Sequence, residues 1–417
     1  MTGTGPLSTA SQLALERRAL DLLATPELRA ARDRVAALYR ADRNYGSHPA
    51  GVASLEAAAA SITVAAVQHA LVADPARPVF LWSACSAHGW HGIDMPNSGY
   101  GIDNPDNVHR RSAVDGESTY VVRGRVPEVP AAQFSFICYG APEADGNVTR
   151  EGAAIASVVL SSQLVPDADG RFELTVGPAP VDDRPHLLTA PTSTWMLVRD
   201  ALTDWESQDP LWLEIERIAG PDAAPEPTDA DLVELAVANV ERLSRYWLDY
   251  DNQLIHDVRP LNAIKQPTPR PFGASVVGRF DVAAHEGLLV TLDPCGADYL
   301  GFEVTDPWGV TRPSVEATGG LNNRQAKANA DGTLTYLVAA TDPGVHNWLD
   351  TGGLTAGMVA ARWQGGQVAE DAEPVREVRV VPLRDVTSFF SDEHRITPEG
   401  RAEQLQQRAA AFARRLR

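Results

Sequence analysis

Residues 119–139 read TYVVRGRVPEVPAAQFSFICY. Two runs rich in β-branched and aromatic residues, 119–126 and 133–139, are split by a segment with two prolines, which suits neither a helix interior nor a ladder. In the first run Tyr120 and Val122 fall on one face and Arg123 and Arg125 on the other, the period of two that marks a half-buried strand. The same grammar spreads outward over residues 78–220, with further runs at 79–83, 153–160, 172–176 and 194–198. Turn signals fall at Asp115-Gly116, Asp145 to Asn147 and Asp169-Gly170. Such turns between alternating runs specify antiparallel hairpins rather than βαβ crossovers. A second block, about 274–385, repeats the pattern at 274–280, 288–292, 299–305, 334–340, 358–363 and 375–382, with turns at Asp331-Gly332 and Asp342-Pro343-Gly344.

Three stretches carry helical spacing instead. Leu13, Leu20, Leu23, Leu28, Val35 and Leu38 trace one or two amphipathic helices over 12–40, interrupted at Pro26, and residues 52–73 form an alanine-rich helix apolar on most sides. After the linker-like 221–228, Thr228 and Asp231 open a helix with a capping box, and Leu232, Leu235, Val240, Leu243, Trp247, Tyr250 and Leu254 mark its apolar face. From Pro398 onward a polar helix rich in Arg and Gln is expected. The fold class is therefore α+β and mainly antiparallel β, with β-sandwich-like cores and N-terminal, central and C-terminal helices. The expected divisions are a helical segment 1–77, a first β-rich block 78–220, a linker and central helix 221–272, a second β-rich block 273–386 and a terminal helix 387–417. No sequence repeat is evident, although the alternation of helices and sheets suits two related halves.

The chain is acidic, with a net charge of −19 over 417 residues. That charge repels phosphate backbones and anionic membranes. The compact basic cluster, Arg408, Arg414, Arg415 and Arg417, reads as a solvated helix face. Neither nucleic acid nor membrane is expected as a partner, since no uncharged apolar run reaches about 18 residues. Cys85, Cys138 and Cys295 are too far apart for a metal motif and odd in number, so buried free thiols and a cytoplasmic location are expected. Nucleotide, serine-hydrolase and zinc-protease signatures are all missing.

A set of ordered motifs in the second block carries a family resemblance. It comprises residues 298–308 (DYLGFEVTDPW), Leu321-Asn322, Gln325-Ala326, Ala330 to Gly332, residues 342–351 (DPGVHNWLDT) and Arg362-Trp363. Together these resemble the DUF1214 domain, often found beside a DUF1254 domain. Residues 103–107 (DNPDN), leading to Asp115-Gly116, Tyr120 and Gly124, look like the segment that precedes it. The resemblance covers roughly residues 95–385 and implies a β-sandwich-like fold. It brings no catalytic residue set. His109 stands where such proteins are expected to have an aromatic residue.

Three loop clusters concentrate chemistry. The first holds His88, His91 and Asp94, running on to Asp103, Asp106 and His109. Imidazole beside carboxylate suits general acid–base work, whereas the His88-x-x-His91 spacing is a poor metal pair and no metal is expected. The second holds His346, Asn347, Trp348 and Asp350, with Asn322 nearby in the same block. Trp348 would form a platform for a ring, or, structurally, plug the sandwich while Asn347 bonds backbone and Asp350 caps a turn. The third holds Tyr246, Trp247, Tyr250 and His256 at the end of the central helix, either core or the wall of a pocket. Arg199 and Arg217 are candidates for recognising an anionic group. These readings predict a cofactor-free enzyme that acts by hydrolysis, elimination or isomerisation on a small, partly apolar or hydroxylated metabolite. Its catalytic groups would come from His88, His91, Asp94, His346 and Asp350. The alternative is a non-catalytic β-sandwich that binds a carbohydrate or lipid-like ligand, and a third reading is a structural subunit. Homo-oligomerisation stays open.

Overall fold

A computed structural model describes residues 5–140, 155–366, 368–369 and 371–417. Helix α1 (Ala10–Leu23) begins at Thr9, whose hydroxyl accepts from the Gln12 N–H. Helix α2 (Pro26–Arg40) starts at the proline that breaks the first leucine stripe, because proline is tolerated in a first helical turn and not in a helix interior. Helix α3 (Pro49–Leu71) is long and apolar enough to cross a membrane by length and composition, contrary to the sequence expectation, since alanines and hydroxyl residues extend its apolar run. Here it is the central rod of the helical layer, 72% buried along its most apolar window. Helix α4 (Asp229–Asp251) opens with the expected Thr228/Asp231 capping box and buries Leu232, Ala236, Val240 and Leu243 against α3. It ends in a turn of π-helix, Asn252–His256. Helix α5 spans Pro398–Ala413.

The strands form two sandwiches, each of a five-stranded and a four-stranded sheet. Sheet I runs Leu81–Ser83, Asn107–Ala113, Ser193–Ala201, Gln133–Gly140, Ile155–Leu160, and faces sheet II, ordered Trp212–Ala219, Thr119–Arg125, Arg171–Gly177, His186–Leu188. Sheet III runs Thr268–Arg270, Gly273–Asp281, Ala356–Gln364, Tyr299–Thr305, Gly320–Asn322, and faces sheet IV, ordered Val375–Pro382, Glu286–Leu292, Leu334–Ala339, Trp348–Asp350. Taken in chain order, the nine strands of the first sandwich map one to one onto the nine of the second. The mapping includes the parallel pair at the end of each smaller sheet. The two halves suspected from the alternation of elements therefore share one topology. A small hairpin, His88–Trp90 with Ile93–Met95, lies outside this scheme. The turn expected at Asp145 to Asn147, and residues 153–154 of the expected strand 153–160, lie outside the described residues.

Each sandwich has its own core: Phe136, Leu174 and Val198 in the first, and Phe302, Tyr336 and Trp363 in the second. Strands such as Gln133–Gly140 and Tyr299–Thr305 are buried on both faces. The reason is that the five-stranded sheets turn their outer faces toward each other and the helices, so these strands read as continuous apolar runs.

Asp106 ties the parts together. Its Oδ1 accepts from the Trp205 indole N–H at 2.8 Å and the Asn322 amide at 2.9 Å, and its Oδ2 accepts from the Tyr299 hydroxyl at 2.9 Å. One buried carboxylate of the first sandwich thus takes two donors from the second. Two arginines of the C-terminal segment close over it. Arg408 donates to the Ser314 and Gly320 carbonyls, and Arg415 to the Pro105 carbonyl at 2.8 Å. Both guanidiniums lie over Trp205. The expectation of a solvated arginine face is therefore corrected for these two, which are buried. They stay charged because backbone carbonyls accept hydrogen bonds from them and the Asp106 carboxylate nearby favours their charged form. Replacing Asp106 by Ala strands three buried donors, each at about 1–3 kcal/mol. The expected loss in urea unfolding is therefore at least about 3 kcal/mol, with D106N losing less because it keeps an acceptor. Equal stability of D106A and wild type would remove Asp106 from this role.

Candidate ligand-binding site

Where sheets I and III meet α3 and α4, the packing leaves a cavity of about 270 Å³, at the small end of ordinary ligand sites. The strand period builds its walls. Asn107, His109 and Arg111 point in from one strand of sheet I, and Trp195, Leu197 and Arg199 from its neighbour, as alternate residues must. Tyr139 stacks on Trp195 at 4.3 Å between centroids, while the Arg111 guanidinium covers the same indole at 3.8 Å. Sheet III contributes Arg270, Ser275, Arg362 and Gln364, and the turn between its first two strands contributes Phe272. Opposite lie Tyr100 from the loop before the strand Asn107–Ala113 and Trp247 and Tyr250 from α4, in edge and tilted ring contacts.

Two residues of the lining, Ala84 and Ile102, have φ of 49° and 59°. Left-handed backbone costs a residue with a side chain about 1–2 kcal/mol, most conspicuously a β-branched one. At Ile102 the turn aims the carbonyl at Arg362, which donates to it, and the amide at the Gly309 carbonyl, 2.8 Å away. At Ala84 the backbone meets the His109 ring in a hydrogen bond. Strain held at a cavity wall is a feature of functional sites. Gly101, also left-handed at φ 62°, has no room for a side chain: a Cβ there would sit 2.8 Å from the Trp247 ring.

The lining is electropositive. Burial, then Arg199 and Arg362, push the His109 pKa down to about 3. Burial, then Arg111 and Arg242, hold His69 well below its ordinary value. Both rings are neutral near pH 7, and the Nδ1 of each has no hydrogen-bond partner among the described residues. The Nε2 of His69 faces the Tyr100 hydroxyl at 3.0 Å and Arg111 at 3.3 Å. Asp103 is the carboxylate of the lining. Burial raises its pKa to about 6 against the opposing hydrogen bonds from Thr311. No group of three or more metal-ligating side chains occurs among the described residues.

The residues singled out in the sequence go to separate places. Trp247, Tyr250 and Arg199 line the cavity. Tyr246 is buried beside them in α4, and His256 lies in the π turn with Nε2 3.2 Å from the Pro307 carbonyl. The five residues expected to be catalytic do not converge. His88 is buried against Trp82 with Nε2 3.4 Å from Glu16. Burial lowers its pKa, but Cys85 and the Glu16 carboxylate beside the ring outweigh that and raise it to about 10, so it is a charged ring in an ion pair and no base. His91 and Gly92, both at positive φ, form the two-residue turn of the small hairpin, and Asp94 is exposed on its second strand. His346 borders a separate polar groove near Gln404 and Arg408. Asp350 accepts from the Gly352 N–H at 2.7 Å in a turn.

Among the expected binding residues, the structural alternative holds for the second cluster. Asn347, fully buried, donates to the Lys327 and Thr335 carbonyls. Trp348 donates to the Ala339 carbonyl at 2.9 Å, and Asn322 is spent on Asp106. Arg217 bonds Ser118 on the edge of sheet II. The reading missed His69, Tyr139, Trp195, Arg270 and Arg362. Polar residues at 107, 109 and 111 share one face of their strand, but Arg110 and Ser112 on the other face blurred that alternation.

Residues 104–202 match the model of the family DUF1214, described as a protein of unknown function. The match falls on the first sandwich, including His109 to Arg199 of the cavity wall. The motifs in 298–363 that first suggested this family lie in the second sandwich, outside the matched segment. No curated protein matches the chain. Among solved structures, the chain is similar to an uncharacterized protein from Burkholderia cenocepacia, with 24% identity and a TM-score of 0.64 over 90% of this chain and 99% of that one. That likeness shows the fold. The VPA0106 protein from Vibrio parahaemolyticus aligns with a TM-score of 0.40 at 10% identity, over 67% of this chain and 90% of that one, too distant to argue from.

Behind Ile102 lies a second buried carboxyl, Asp306, whose Oδ1 accepts from the Trp308 and Val310 N–H groups. Burial raises its pKa to about 7. A carboxyl with a raised folded pKa favours the folded state fully below its unfolded pKa, and this advantage drains away as pH rises through the folded value. Between about pH 4 and pH 8, wild-type stability should therefore fall more steeply than that of D306N. Urea unfolding of both proteins across that range is the measurement, and parallel profiles would refute the assignment.

Proposed function

We propose that the chain binds a small, partly apolar organic molecule in the cavity between the two sandwiches. The observation that carries this reading is the convergence at one place of two aromatic walls, two unpartnered imidazole nitrogens and two strained backbone turns. Buried polar atoms without partners are rare in folded proteins and ask for an explanation. A ligand supplies one here, by giving the His109 Nδ1 a hydrogen-bond partner when bound. Binding is preferred to the acid–base enzyme expected from the sequence because His88, His91, Asp94, His346 and Asp350 share no cavity.

A second reading keeps catalysis but moves it. Asp103, with a pKa near 6, and neutral His109 line the same cavity. A carboxyl poised near neutrality suits proton transfer on a bound molecule. Turnover of a ligand by wild type, and its loss in D103N with binding retained, separates this reading from simple binding.

The test of the site fills it. Leu197 lines the cavity and is 8% exposed, so Leu197→Trp occupies the space at an overpacking cost of roughly 1–3 kcal/mol. Native mass spectrometry should find a small organic mass on the wild type that is missing from L197W. Ligands that raise the wild-type melting temperature should leave that of the variant unmoved. Equal ligand shifts in both proteins would place the binding site elsewhere.

A further inference from the structure

We infer that the ligand of this cavity is an aromatic or similarly flat apolar carboxylic acid, its carboxylate held by Arg199 and Arg270 and its body lying between the two aromatic walls. The inference rests on the preceding reading and adds the chemical class.

The charge of the lining argues for an anion. In a chain of net charge −19, four guanidiniums line one cavity together with a single carboxylate, Asp103. Asp103 is already engaged by the Thr311 hydroxyl and N–H. Two of the four cations have partners. Arg362 pairs with Glu303 and donates to the Ile102 carbonyl, and Arg111 lies on Trp195. Arg199 and Arg270 differ: among the described residues no carboxylate is within ion-pair distance of either. Arg199 donates one hydrogen bond, 3.0 Å to the Tyr139 hydroxyl, and its guanidinium carbon lies 4.8 Å from the Phe272 ring centroid. A guanidinium has five donors, so this contact leaves most of them for a ligand. Packing against Phe272 and the bond to Tyr139 also fix the side chain before anything binds, which lowers the entropy lost on association.

The walls argue for the rest of the molecule. A planar fork of N–H groups matches a carboxylate. Trp195 with Tyr139 on the sheet side, and Trp247 with Tyr250 and Tyr100 on the helix side, offer ring faces and edges to a flat apolar body. A bare inorganic anion would leave these walls unused.

The test pairs acids with their neutral isosteres. Phenylacetate, indole-3-acetate and 1-naphthoate, each beside its primary amide, and inorganic phosphate are titrated into the full chain by calorimetry. At least one acid should bind at least about tenfold more tightly than its amide, the scale of a charge-assisted hydrogen bond. Arg199→Gln should remove most of that preference, lowering the affinity of the acid by a larger factor than that of its amide, while Arg199→Lys keeps part of it. A melting curve and the amide titration report whether R199Q remains folded, and Arg270→Gln tests the same preference from a second position. If acids and amides bind alike, and L197W abolishes both, the cavity is a ligand site and the anion inference is wrong. Phosphate binding as tight as the acids would also overturn it, since the walls would then contribute nothing. If none of the probes binds at millimolar concentration, both the class and the site reading fall.

Discussion

The carboxylate of Asp106 is the constraint from which the rest of the molecule follows. It is buried, and a buried carboxylate is tolerated only where donors replace the water it has lost. The donors come from the first sandwich through Trp205 and from the second through Tyr299 and Asn322. Satisfying one side chain therefore fixes the relative position of two nine-strand units. The segment carrying Asp106 also carries Ile102, Asp103, Asn104 and Asn107, all in the cavity lining. The hub and the candidate site are thus neighbours on the same short stretch, and the geometry of one is set by the other.

The shared topology of the two units explains why a cavity lies where it does. In an isolated sandwich the outer face of each sheet meets water and is polar. Here the outer faces of both five-stranded sheets are turned inward, and each carries a small apolar cluster: Ile137, Tyr139 and Leu197 on sheet I, and Met358 and Ala360 on sheet III with Ile102 and Ile255. Twisted sheets do not lie flat on one another. The gap left between them is partly plugged by Trp247 and Tyr250 from the end of α4. The π turn that follows this helix is the kind of irregularity common near functional sites.

Much of the fold was legible in the sequence because it is written locally. The alternation in 119–126, the proline at 26, the Thr228/Asp231 box and the DG turns at 169–170 and 331–332 each act within a few residues, and each appears where expected. The family resemblance was legible too, although the motifs that suggested it and the segment that matches lie in different halves of a duplicated topology. The site was less legible because it is assembled from positions far apart in the chain. His88 and His91 looked like a reactive pair, yet one is spent on Glu16 and the other turns a hairpin. Arg408 and Arg415 looked solvated, since nothing nearby in sequence shows that backbone carbonyls some 90 and 310 residues upstream will receive them. Trp247 and Tyr250 were singled out as an aromatic stripe at helical spacing, and Arg199 as a cation near a strand end. His69, Trp195 and Arg362, of equally telling types, were passed over because no local pattern says which outer face will meet another sheet.

The wide spacing of the Asp106 donors has a consequence for how the chain is made. Trp205, Tyr299 and Asn322 follow Asp106 by 99, 193 and 216 residues, and Arg415 follows Pro105 by 310. At a synthesis rate of about 5–20 residues per second, roughly 15 to 60 seconds separate Asp106 from the last of these groups. During that time the first sandwich can acquire its own core, but its outer face has no partner and its carboxylate has only Trp205. The nascent first half is thus a domain with an apolar face awaiting a second domain of the same topology. A neighbouring nascent chain could offer that face too, which makes crowded polysomes the setting in which this architecture is most exposed to pairing with the wrong copy.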